Sequence, residues 1–263
     1  MNTILNYSIG RKISLSLMGL FLCLFLIIHL IGNLKLFNND LGLSFNQYSD
    51  FMSNNVFIKI SSWILYFAIL YHTIIGGYIT YNNYKSRPIK YLIQKKNNIS
   101  ISSRNMGIAG SIIFIFIVVH MANFWWKFKF GNIPYIQYVR DIQSGYLASY
   151  EDVLPVLMNK NGHLIQNISN NYEIIYTYKN SYRVVSETFK NPFLVIFYGA
   201  SMIAMSLHLL HGFKSAFMTL GLKINNLYGH IIHLIGWLFF GLLIPIGFAS
   251  IPIYFYIVNF FTK

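Results

Sequence analysis

Apolar residues in this chain gather into five long blocks separated by polar stretches. Each block reaches the roughly 20 residues that an α-helix needs to cross a hydrocarbon core about 30 Å thick. The blocks predict helices over about 13–36, 58–81, 106–126, 192–220 and 228–260. Pro192 falls in the first turn of the fourth helix, where its missing N–H is tolerated, and Pro245 predicts a bend in the fifth. The longest polar stretch, 127–191, is rich in Asn and Tyr and specifies neither a catalytic domain nor a clear fold. A structureless loop of that length is uncommon, so it is expected to pack over the outer face of the helices. The whole chain, 1–263, reads as one all-α integral membrane domain of five transmembrane helices.

Composition agrees with this pattern. The chain is 55% hydrophobic and only 10% charged, against about 25% charged in a soluble domain. Many Tyr and Trp flank the apolar blocks, as an interfacial belt does. The single cysteine, Cys23, lies inside the first block and has no partner for an internal disulfide. The sequence also lacks the CxxCH needed for covalent haem attachment. The first block has no small-residue cleavage pattern, so no cleavable signal peptide is read there.

The net charge of +13 changes the picture through its placement. Nucleic acid is not indicated, because the cations sit between the apolar blocks and not along one surface. With the N-terminus inside, the inner segments 1–12, 83–105 and 214–227 hold Arg11, Lys12, Lys85, Arg87, Lys90, Lys95, Lys96, Arg104, Lys214 and Lys223, with no acidic residue. All seven carboxylates (Asp40, Asp50, Asp141, Glu151, Asp152, Glu173 and Glu187) fall on the other side. The positive-inside rule therefore puts the N-terminus in the cytoplasm and the C-terminus outside.

Four histidines stand inside the first four blocks, one in each: His29, His72, His120 and His208. An ionisable residue in hydrocarbon is costly and marks a functional site by default. A helix rises about 1.5 Å per residue, which puts His29 and His120 roughly 21–24 Å above the inner face and His72 and His208 the same distance below the outer face. The four thus form an outer pair and an inner pair, each with two imidazoles from two helices. That arrangement suits a planar macrocycle with one axial ligand on each face, and haem is the natural candidate. An internal repeat runs through it: Gly19 precedes His29 by ten residues as Gly110 precedes His120, and Gly76 follows His72 by four as Gly212 follows His208. Glycine one turn from a ligand leaves room for a porphyrin, or simply for close helix packing. His211 lies one turn from His208 on the same face and is the alternative ligand; the repeat with His72 favours His208. His230 and His233 read as interfacial, and His163 as a solvated loop residue.

The stretches SLMGLFLCLFLIIHLIGN (16–33), HLLHGFKSAFMTLG (208–221) and FWWKFKFGNIPY (124–135) resemble the membrane-anchoring cytochrome b subunit of bacterial succinate dehydrogenase and of the related fumarate reductase, in its five-helix, two-haem form. The resemblance covers nearly the whole chain. It implies two haem b groups stacked in the bundle, the outer held by His29 and His120 and the inner by His72 and His208. It further implies a flavoprotein and an iron–sulfur subunit on the cytoplasmic side of a bacterial cytoplasmic membrane, with electrons passing to a quinone, expected to be menaquinone, near the outer haem. The chain has no dinucleotide fingerprint or cysteine cluster, so those partner cofactors belong elsewhere. Quinone reduction needs protons, which draws attention to Asp40, Gln47 and Asp50, with Asp50 preferred. Arg183, in the RVVSE stretch (183–187), is a propionate candidate because guanidinium suits carboxylates, and Ser16 is another, although its hydroxyl can equally bond its own helix backbone. Two other readings stay open. One is the two-haem subunit of a hydrogenase or formate dehydrogenase, and the other is a haem-free transporter with a histidine proton relay.

Overall fold

The computed structural model describes residues 8–86, 105–141, 143–153, 163–168, 171–222 and 227–261. Five helices are long and apolar enough to cross a membrane: Ser8–Phe37, Val56–Lys85, Met106–Phe130, Pro192–Thr219 and Leu227–Phe261. The protein is a multi-pass membrane protein built on helices. The spans run past the predicted blocks because backbone hydrogen bonding continues where the hydrocarbon composition ends. Arg11 and Lys12 lie in the first span and Lys85 closes the second. Of the basic residues used for orientation, Arg87, Lys90, Lys95, Lys96, Arg104 and Lys223 lie outside the described residues. Trp63, Phe67 and Ile74 are largely exposed along the second span, as a lipid-facing helix requires.

The chain divides into two compact units. The first, residues 1–30, 60–118 and 195–252, contains most of the five spans. Its core joins Cys23, Met202, Met205, Leu209, Phe240 and Ile244. The fifth span packs closely enough that a Cβ on Gly241 would stand 2.5 Å from the Leu210 side chain. Its irregularity lies just before Pro245, where Gly236–Leu243 winds as a π-helix. In a regular α-helix the N–H of position 245 would bond the Gly241 carbonyl; proline has none, and the Ser206 hydroxyl of the fourth span donates to that carbonyl instead. The expected bend is thus a π segment, one of the recognised ways a helix absorbs a proline.

The second unit comprises residues 31–59, 119–194 and 253–263. Here the structure adds what the hydropathy pattern did not specify. An antiparallel sheet in the order β2-β1-β4-β3 is formed by Tyr135–Asp141 (β1), Leu147–Val153 (β2), His163–Ile168 (β3) and Asn171–Lys179 (β4). The all-α expectation therefore has to include this sheet, and His163 begins a strand where a loop was expected; its side chain lies outside the described residues. Two short helices join the sheet, Leu43–Asn54 and Ser181–Thr188. In β1, Ile136 and Tyr138 point inward against Leu43 and Tyr178.

Buried polar groups bind this unit together. Asn46, 1% exposed, donates from Nδ2 to the Tyr138 hydroxyl (2.9 Å) and accepts the Tyr182 backbone N–H (2.8 Å). The Tyr138 hydroxyl in turn donates to the Leu41 carbonyl (3.1 Å). Burial pushes the Tyr138 phenol pKa well above its ordinary value, against the opposing pull of Asn46. Asp40 starts the Leu43–Asn54 helix by accepting the N–H groups of Gly42 and Ser44. Asn180 caps the Ser181–Thr188 helix through the Arg183 N–H (3.0 Å) and donates to Glu151 (3.2 Å). Gly42 has φ +84°, and a Cβ there would strike the Tyr182 ring, so glycine is required. Replacing Asn46 by Ala removes one of the two partners of the Tyr138 hydroxyl and leaves the Tyr182 backbone N–H without its acceptor, at about 1–3 kcal/mol for that unsatisfied group. The expected outcome is faster hydrogen exchange at the Tyr138 and Tyr182 amides in N46A, with the first unit unchanged.

Candidate metal centres

The second and fourth spans bring His72 and His208 together, with ring centroids 6.1 Å apart and planes at 67°. An imidazole nitrogen lies about 2.0–2.1 Å from a bound metal and about 1.1 Å from its own ring centroid, so two rings on opposite sides of one metal have centroids about 6.3 Å apart. The observed separation therefore matches that of two imidazoles sharing one metal.

The hydrogen bonds of the two rings point the same way. His72 bonds the backbone of Leu15, and His208 bonds the backbone of Met106. Each ring also has a buried Nδ1 with no hydrogen-bond partner. A metal-bound histidine typically gives one nitrogen to the metal and the other to a carbonyl or carboxylate that fixes the ring. In both residues Nδ1 lacks a partner while the ring lies beside a backbone group of a neighbouring helix. The ring paired with His72 belongs to His208; His211, one turn further on, is half-buried beside Lys214.

Sequence spacing drew attention to Gly76 and Gly212 as leaving room for a porphyrin or for close helix packing; the glycines that touch the two rings are Gly19 and Gly110. A Cβ on Gly19 would lie 3.3 Å from Cε1 of His72, and one on Gly110 would lie 3.6 Å from Cε1 of His208. A Cβ on Gly76 would meet open space, and one on Gly212 would meet Met106 at 3.6 Å. A polar chain beside His72 was also missed: the Tyr71 hydroxyl donates to Ser14 (2.7 Å), Ser14 donates to the Arg11 carbonyl (3.0 Å), and the Arg11 guanidinium lies 5.3 Å from the centre of the Tyr78 ring. The adjacency of Tyr71 to His72 was its only signal in the sequence.

His29 belongs to the first unit and His120 to the second, and each has its setting there. The His29 ring stacks on Phe25 (5.2 Å, 16°) and also meets Phe248 (5.5 Å). The His120 ring lies 5.2 Å from Phe124, which packs on Phe128 and Phe189. Directly after His120 the helix widens into a π-helical turn, Met121–Trp125, a feature frequent at functional sites.

Ser16 is half-buried on the first span. Asp50 lies on the Leu43–Asn54 helix and accepts from Asn54 (2.9 Å), while Gln47 is exposed. Arg183 bridges Glu151 (3.1 Å) and Asp152 (3.2 Å) at the rim of the sheet, and these acids, Asp152 foremost, hold its pKa above the ordinary arginine range. His230 and His233 are exposed near the start of the fifth span. Among the described residues, no group of three or more His, Cys, Asp or Glu side chains could hold a metal ion. Comparison with family models, with curated proteins and with solved structures finds no match for the chain.

Partly exposed ion pairs such as those of Arg183 contribute about 0–1 kcal/mol. R183A should therefore lower thermal stability by no more than about 1 kcal/mol, with an effect that fades in high salt. A larger loss, insensitive to salt, would assign Arg183 a role beyond its two acids.

Proposed function

We propose that this chain is the membrane-anchor cytochrome b subunit of a succinate:quinone oxidoreductase, carrying electrons between an iron–sulfur partner and a quinone. The observation that carries the reading is the His72–His208 pair: two buried imidazoles whose ring centroids lie at metal-sharing separation, each with an Nδ1 that has no hydrogen-bond partner. Two protein ligands do not complete a metal's coordination, so the remaining positions call for a non-protein group. A planar tetrapyrrole that takes one imidazole on each face meets that requirement. His72 and His208 would hold haem b there, and the group would supply one-electron redox chemistry.

The chain's own residues supply the rest. In this reading His72 and His208 hold the inner group, and the backbone of Leu15 and Met106 fixes their ring orientation. His29 and His120 are assigned to an outer group by their shared depth in the sequence. Asp50 is proposed to hold a proton for the quinone, which by resemblance is menaquinone, and Ser16 and Arg183 are proposed carboxylate partners. The flavin and iron–sulfur cofactors of such a complex would lie on cytoplasmic partner chains, which hold the dicarboxylate active site.

The test is purification from membranes with native partners, followed by an optical spectrum and a succinate–quinone assay. Two low-spin b haems per chain are expected. H72A and H208A should lose one common component, and H29A and H120A should both lose the other. Absence of any haem band from the assembled protein would overturn the reading in favour of a histidine relay in a transporter. Co-purification with a metal–hydride enzyme in place of a flavoprotein would move it to another quinone-linked dehydrogenase.

A further inference from the structure

Gly19 and Gly110 each sit ten residues before a histidine on their own helix, yet each lies against a histidine of a different helix. On the first span, Leu15 and Gly19 are one turn apart; the Leu15 backbone bonds His72, and Gly19 lies under the edge of the same ring. On the third span, Met106 and Gly110 have the same four-residue offset; the Met106 backbone bonds His208, and Gly110 lies under that ring. In both cases the nearest ring atoms are the same pair, Cε1 and Nδ1. The two half-sites therefore share one pattern of contacts.

We propose that Gly19 and Gly110 are positioning residues of the inner site, each supplied by a helix whose own histidine serves the other layer. The inference rests on the haem reading above and deepens it. The mechanism is steric and electrostatic. A Cβ on Gly19 would crowd His72 and one on Gly110 would just touch His208, so a larger side chain at either position would push the imidazole off the helix backbone and away from its carbonyl partner. A ring held through its second nitrogen keeps its orientation and basicity as a ligand. Without that hold, the plane of the ring is free to turn about the metal bond. The first and third spans thus contribute twice: a ligand at one level, and a wall with a carbonyl at the other, about 15 Å away for ten residues of helix. The glycines on the ligand helices themselves, Gly76 and Gly212, do not make this contact.

The test uses the full chain assembled with its partners in membranes, and H72A and H29A mark which haem component is which. G19L and G110L should lose the component missing in H72A and retain the one missing in H29A. The milder G19A variant should keep both haems but shift the midpoint potential and low-spin electron paramagnetic resonance signal of the inner one alone, and G110A, whose Cβ would stand in ordinary contact with His208, should shift them less. G77A, on an exposed face where a Cβ meets nothing within 4 Å, should alter neither. Loss of the H29A component from G19L, or unchanged potentials and signals in both alanine variants, would overturn the proposal while the haem reading stands. If the leucine variants fail to assemble, the alanine variants alone decide. A wild-type complex with no haem would overturn both.

Discussion

A neutral imidazole carries one donor and one acceptor nitrogen, and hydrocarbon offers a partner to neither. The first unit of this protein depends on how that demand is met. At His72 and His208 the ring lies beside the backbone of a neighbouring helix, and its Nδ1 is buried without a hydrogen-bond partner. Burying a polar atom unsatisfied costs on the order of 1–3 kcal/mol, and here the cost falls on both rings of the pair. Groups left so in a native fold call for an explanation, and a shared metal supplies one that also accounts for the spacing of the rings.

The same economy of polar groups organises the second unit with different chemistry. Asn46 uses its donor on Tyr138 and its acceptor on Tyr182, and Asn180 does likewise with Glu151 and Arg183. Ser186 and Asn259 join in the same way: the Ser186 side chain donates to the Asn259 amide oxygen, and the Asn259 amide donates to the Ser186 carbonyl. These contacts link segments far apart in sequence, so the unit is held by specific pairings as much as by its small apolar cluster.

The spans were legible in the sequence because hydropathy over 20 residues is a strong signal, and the pairing of His72 with His208 followed from rise per residue alone. The sheet was not legible. In β1, Tyr135, Gln137 and Val139 alternate with Ile136, Tyr138 and Arg140, so both faces mix apolar and polar groups and the period of two is blurred. The Leu43–Asn54 helix was hidden similarly: few of its residues are strongly apolar, and its start depends on Asp40 bonding across a left-handed turn at Leu41 and Gly42. The contacts of Gly19 and Gly110 were not legible for a different reason. Spacing along one helix tells which residues share a face, but not which face of a neighbour lies opposite; Gly76 shares a turn with His72, whereas the glycine touching its ring is Gly19.

The bond from Ser206 to the Gly241 carbonyl has a consequence for how the chain assembles. In oil, a carbonyl robbed of its donor by Pro245 is a vulnerable point on the last helix until the fourth supplies a hydroxyl at that height. Sliding the terminal helix by a single residue would carry the oxygen out of reach. The pair therefore acts as a depth gauge: it sets how far the final segment is threaded into the bilayer, a parameter that greasy side chains alone, interchangeable along their length, would leave loosely defined.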